Sequence, residues 1–375
     1  MSVTSPANLS LATEAALSVQ GAGCAAPGYA GQRVSLSPEA SALLNATRAF
    51  AAIYVVIHHV SVQFNFSPLA DLPFRFGQEA VILFFLLSGF VVHTNERNRA
   101  LHPTGYYARR IRRIYPVLIA AMLITAAVMA DNGSLGTHFT LTGMFGTLFA
   151  LQDISALKPG VIVDPFLGKA PLWSLSYEIA FYAIYPFVLR SFVKQPIMTS
   201  HLVGLVCSIA FSLFILAPDH FLLVTAYFVI WWTGAMAAEA YSAGQRSWRG
   251  IAVPLAWLLV LSLVALGAVA REGWHGPGVY PALMLRHFAF ALGLSFLAFG
   301  PIGAVASRWA NRFPVMWSTV AGIAFGIYVL HYPILLRWER PVGVVGWVAA
   351  VILMIGLSWL VEQKLPTLLP KASRA

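Results

Sequence analysis

Residues 251–270 read IAVPLAWLLVLSLVALGAVA, twenty positions without one charged side chain. At about 1.5 Å per residue, a helix of that length crosses the roughly 30 Å hydrocarbon core of a bilayer. Working outward, runs of the same kind recur near 47–63, 77–93, 114–130, 174–192, 199–217 and 221–241 on one side, and near 281–300, 314–336 and 342–362 on the other. The sequence therefore predicts an all-α fold, a polytopic transmembrane helical bundle of about ten spans. Composition agrees. Hydrophobic residues make up 59% of the 375 positions and charged residues only 10%, with a mean hydropathy of +0.74. A soluble domain carries about 25% charged residues, so lipid must be the solvent for most of this surface. A further apolar piece near 141–151 is too short to cross and is expected to be re-entrant or interfacial.

The formal net charge is +10. In a soluble chain that would suggest nucleic acid, but in a polytopic protein Lys and Arg collect in cytoplasmic loops and set orientation. With both termini cytoplasmic, the inner segments hold 16 Lys and Arg and the outer ones 6, with Arg48 and Arg286 inside spans. That asymmetry supports ten spans with both ends cytoplasmic, membrane lipids as neighbours and no nucleic-acid partner. Residues 1–44, rich in Ala, Ser, Gly and Pro, read as a flexible tail without the pattern of a cleaved signal peptide. Residues 45–365 form the membrane domain, and 366–375 a cytoplasmic tail. Cys24 and Cys207 are far apart and suggest neither a disulfide framework nor a metal site.

An ionisable group inside a membrane costs at least about 2.5 kcal/mol, so it usually has a partner or a task. Arg48 and His59 lie eleven residues apart in the first span, close to three helical turns, and so share a face. His58 points elsewhere. Arg48 could equally be a snorkelling anchor and the histidines interhelical hydrogen-bonders. Glu79 opens the second span, where facing water is the alternative to a role in the site, while Ser88-Gly89 suits close helix packing. Arg109, Arg110, Arg112 and Arg113 precede Ile114-Tyr115-Pro116. Such a cluster reads either as a topology signal or as a phosphate clamp, since Arg bonds phosphate bidentately. The fourth span begins Trp173-Ser174-Leu175-Ser176-Tyr177-Glu178 and places a carboxylate about one turn inside the membrane. His331 sits late in the ninth span, with Pro333 expected to kink that helix.

Five segments together resemble the acyltransferase-3 family of membrane O-acyltransferases. They are Arg48 with His59; Phe84 to Phe90, matching Phe-Phe-x-Leu-Ser-Gly-Phe; Arg110 and Arg113 ahead of Ile-Tyr-Pro; Trp173 to Glu178, matching Trp-Ser-Leu-Ser-x-Glu; and Tyr328, His331 and Pro333. Tyr177 stands where Val is common, and Ile179 where a second acid is often found. The resemblance implies an acyl-CoA donor, most often acetyl-CoA, entering from the cytoplasm. It implies phosphate contacts from Arg48, Arg110 and Arg113. His59 would be general base, with Glu178 steadying its imidazolium, or would itself be transiently acylated. His331, Trp173, Ser176 and Glu79 are further site candidates. No hydrolase-like domain follows the bundle, so the stand-alone form is expected. The expected acceptor is a hydroxyl of an envelope or exported polysaccharide, free or lipid-linked, with a small molecule such as an antibiotic glycoside as the alternative. In a different class, a secondary transporter or flippase would use the same His and Glu as a proton relay.

Overall fold

The computed structural model of the chain describes residues 36–64, 67, 69 and 72–367. Helix α1 runs Pro38–Gln63, earlier than the expected start near 45, because Ser37 Oγ accepts from Ala40 N and Pro38 occupies the first turn. Most of the expected N-terminal tail, residues 1–35, lies outside the described residues, as do 368–375 of the C-terminal one. Then follow α2 (Gly77–Glu96), α3 (Pro103–Asp131), α4 (Trp173–Lys194), α5 (Pro196–Leu216), α6 (His220–Ser242), α7 (Ala252–Glu272) and α8 (Ala282–Ala298). The ninth span is split into α9 (Pro314–Ala321) and α10 (Ala324–His331), and α11 (Gly343–Trp359) closes the bundle. Eight helices among the described residues are long and apolar enough to cross a membrane, or ten if each of two bent pairs is one span. Among these residues the only β pairing is an isolated bridge between Gln152 and Val163.

Helix α6 is apolar all round and correspondingly buried, with Tyr227, Trp231 and Trp232 fully enclosed. It meets α2 backbone to backbone. A Cβ on Gly89 would fall 1.9 Å from Trp231 O, and one on Gly234 2.0 Å from Leu86 O. Only glycine permits that approach, as the Ser88-Gly89 pair suggested. At the other extreme, Val344, Val345 and Ile352 of α11 are exposed. An apolar exposed face is what lipid demands.

One expectation is corrected. The ninth span bends by 46° at Gly322–Ile323, well before Pro333. Pro333 instead lies in a π-helical turn, Tyr332–Arg337, whose wider ring accommodates a residue without an amide proton. The 141–151 piece forms a short helix, Leu141–Leu148, which packs beside Phe166 in the loop before α4.

Candidate active site

A cavity of about 430 Å³ lies among α1, α2, α3, α4 and α10. Arg48, Arg110, Arg113 and Glu178 all line it, together with Ser88, Tyr182, Ser174 and Tyr328. Exposed Asn95 and Arg113 mark its mouth, and Phe84, Ser174 and Tyr328 its inner end. Four of the residues singled out in the sequence thus share one wall system, although they come from three helices.

The arginines are held unequally. Glu96, only 2% exposed, accepts from both Arg109 (2.5 Å) and Arg110 (2.7 Å). The Arg110 guanidinium also lies 5.6 Å from the Tyr182 ring centroid, and its buried Nε has no hydrogen-bond acceptor. Arg113 donates to Glu362 at 2.8 Å. Arg48 makes no hydrogen bond or salt bridge to a described residue and feels the charges of Arg113, Glu362 and Glu178 across the cavity. An unpaired guanidinium and an unmet buried N–H in one cavity are groups that a phosphate would satisfy.

Glu178 is not where the sequence reading expected its partner. Its Oε1 accepts from Ser88 Oγ (2.9 Å) and from the Tyr182 hydroxyl, and it has no hydrogen bond to His59. Trp231 Nε1 donates to Ser88 Oγ at 3.1 Å, which completes a polar strip along the cavity. Ser88 therefore does more than allow packing.

His59 pairs with His331 instead. Their nitrogens, Nδ1 of His59 and Nε2 of His331, are 3.1 Å apart, and the rings stack at 5.1 Å. The acceptors settle the tautomers. His331 Nδ1 must donate to the carbonyl of Ile327 (3.1 Å), so its neutral ring leaves Nε2 as an acceptor. His59 Nδ1–H then donates to it, and His59 Nε2 keeps its lone pair. A neutral imidazole with that lone pair unshared can accept a proton. His58 is committed differently, with Nδ1 on Phe74 O at 2.7 Å and its ring against Gly77. The histidine pair lies behind the inner end of the cavity. Tyr328 stands between, its ring 6.4 Å from that of His331 and 5.7 Å from that of Phe84, and its hydroxyl joined to Ser174 Oγ at 2.8 Å.

The remaining candidates, Trp173, Ser176 and Glu79, are not among the residues lining the cavity. Ser176 Oγ donates to Trp173 O within α4. Trp173 is a lid over Lys158, whose Nζ sits 3.6 Å from the ring centroid. Burial draws the Lys158 ammonium below the usual lysine range, and Asp153, at 2.8 Å, works against that. Glu79 does not face water: it is 3% exposed and bonded to Arg286 at 2.5 Å. Among the described residues, no group of three or more His, Cys, Asp or Glu could hold a metal ion. Glu96, Glu362 and Tyr182 are the members that sequence reasoning passed over. The available signal for the two glutamates was position, since each ends an apolar run on the arginine-rich side.

A family model described as an acyltransferase domain matches residues 42–363. The chain belongs to the acyltransferase-3 family. Every site residue named in this subsection lies inside the matched region. Among curated relatives, the acyltransferase MdmB of Streptomyces mycarofaciens is 28% identical over 258 residues, 66% of this chain and 62% of MdmB. The exopolysaccharide production protein ExoZ of Rhizobium meliloti is 26% identical over 305 residues, 70% of this chain and 91% of ExoZ. The peptidoglycan O-acetyltransferase OatA of Listeria monocytogenes is 27% identical over 167 residues, 40% of this chain and 24% of OatA. The chain thus matches about three fifths of MdmB's length and a quarter of OatA's. No solved structure matches.

Proposed function

We propose that this acyltransferase-3 member moves an acyl group, acetyl first among candidates, from acyl-CoA to a hydroxyl of an envelope or exported polysaccharide. The observation that carries the reading is the shared cavity, with Arg48, Arg110 and Arg113 around a space lined at its other end by Tyr328, whose ring is 6.4 Å from that of His331 in the His59–His331 pair. On this reading the arginine-rich end is cytoplasmic, in line with the loop charge, and the protein sits in the bacterial inner membrane.

Arg48 and Arg110 supply the charge that receives the donor's phosphates, and Arg113 guards the mouth. His59 Nε2 takes the proton of the acceptor hydroxyl as its oxygen attacks the thioester carbonyl carbon. The carbon–sulfur bond breaks, and the proton passes to the leaving thiolate. His331 stabilises the cation on His59 by accepting from its Nδ1, the place that a carboxylate fills in a hydrolytic triad. Glu178 holds the Ser88 and Tyr182 hydroxyls along the acyl path and balances the cationic wall.

The test is O-acetyl ester content of surface polysaccharide in a strain deleted for the gene and complemented with variants of equal abundance. Wild type restores the esters, and His59→Ala and Arg48→Ala do not. Full restoration by both variants sinks the reading.

A further inference from the structure

The break at Gly322–Ile323 lies within the bundle. A cut helix leaves carbonyls on one side and amides on the other without helical partners, and lipid offers none. Two consecutive residues of the last span close the cut. Gln363 donates its side-chain amide to Gly322 O, at the end of α9. Glu362 Oε2 accepts from the backbone amide of Gly326, in the first turn of α10, at 2.8 Å. Both belong to the π-helical turn Leu360–Lys364 that extends α11, a widened turn of a kind frequent at functional sites. Gly326 is also where α10 meets α11, since a Cβ there would lie 2.8 Å from Ser358 Cβ.

The same carboxylate has a second oxygen. Glu362 Oε1 accepts from Arg113 Nη2 at 2.8 Å, and the glutamate side chain is 1% exposed. Arg48 also acts on it electrostatically. One buried group therefore touches the arginine wall of the cavity and the start of the segment that carries Tyr328 and His331.

Resting on the donor reading above, we infer that Glu362 is a positioning residue with two separable effects. Its charge offsets that of Arg113, which keeps the anion site weak enough for spent CoA to leave. Its Oε2 fixes the first turn of α10, and with it Tyr328 and the His331 imidazole that orients His59. The sign of the first effect follows from charge arithmetic. Removing one negative charge beside a bound phosphate strengthens its attraction to the arginine wall.

The experiment uses the detergent-purified full chain for CoA binding, and membranes of the complemented deletion strain for transfer from labelled acetyl-CoA. Glu362→Gln keeps a carbonyl oxygen for Gly326 and drops the charge. CoA should bind at least about tenfold more tightly, the effect of one charge about 12 Å away at an effective dielectric near 20. Glu362→Ala also removes the acceptor for Gly326, so transfer at saturating acetyl-CoA should fall well below that of E362Q. Glu362→Asp keeps the charge but is too short for both partners. It should hold wild-type CoA affinity and lose transfer, and it carries the test if E362Q does not accumulate. A glutamate that only supports folding would weaken CoA binding as it lowers transfer. Unchanged or weaker CoA binding in E362Q overturns the charge effect. Transfer by E362A as fast as by E362Q overturns the positioning effect. Arg48→Ala and Arg113→Ala run alongside. If neither alters CoA affinity, the donor reading itself falls, an outcome distinct from a silent E362Q beside a weakened R113A.

Discussion

Two of the buried charged regions in the bundle are built on opposite plans. In the loop before α4, Asp153 and Lys158 are each 0% exposed and bonded at 2.8 Å. The Tyr177 hydroxyl donates to the other Asp153 oxygen at 2.6 Å, and Trp173 covers the ammonium. Each charge there is matched and the knot is shut. In the arginine cavity, Arg109 and Arg110 share one glutamate, Arg113 has another, and Arg48 has none. Attraction is left over, and there is room for something to receive it. Burial of charge alone does not mark a ligand site. A surplus of one sign facing an open space does, because a stoichiometric pair admits an anion only by breaking itself.

The sharpest break of this contrast lies at the histidines. His59→Ala should lower acetyl transfer by about 10²–10⁴, the usual range for a lost general base. His331→Ala should follow it closely in acetyl-ester assays of membranes. Full activity in H331A would return the orienting role to another group. Next comes the surplus cation. Arg48→Ala should raise the apparent KM for acetyl-CoA by about 10–100-fold, the worth of one charged hydrogen bond. The effect should shrink in high salt, because the cavity mouth is open to solvent. An unchanged KM would make the surplus irrelevant.

The closed knot should respond in stability. Lys158→Met leaves Asp153 buried without its cation, a loss of about 3–5 kcal/mol. The expected readout is a lower melting temperature in detergent with the KM for acetyl-CoA unchanged. Equal loss of donor affinity would mean that the two regions are one system. The smallest effect belongs to His58→Ala, which should change transfer by no more than about twofold, as for a residue outside the chemistry. A collapse of transfer in that variant would exchange the roles of the two histidines.

The spans were legible because lipid imposes a length and excludes charge, and the 251–270 run satisfies both. The close seam at Gly89 was legible because only small residues permit it. What sequence could not supply was rotation. Helical spacing puts Arg48 and His59 on one face, but it says nothing about which face of α4 or α10 turns toward them. Glu178 was therefore paired with His59, whereas Ser88 and Tyr182 hold it and His331 takes the place beside the imidazole. The break at Gly322–Ile323 was hidden for a related reason. Pro333 offered a local signal for a kink. The actual break is stabilised by Glu362 and Gln363, some forty residues away in sequence. Glu79 likewise needed Arg286 from α8 before its burial made sense.

The glycine seam between α2 and α6 carries a consequence for how the cavity can evolve. Ser88 stands next to Gly89, and Trp231 is the residue whose carbonyl a Gly89 side chain would strike. The width of the passage past Glu178 is thus gauged by two hydrogen atoms standing where methyl groups would be. An alanine at either seam position would prise the helices apart and separate the indole from the serine hydroxyl. On the proposed reading, room for larger acyl groups is more easily varied at Phe325 and Tyr328, which line the cavity from a short half-helix. The seam is the fixed jaw of the site, and the broken span its adjustable one.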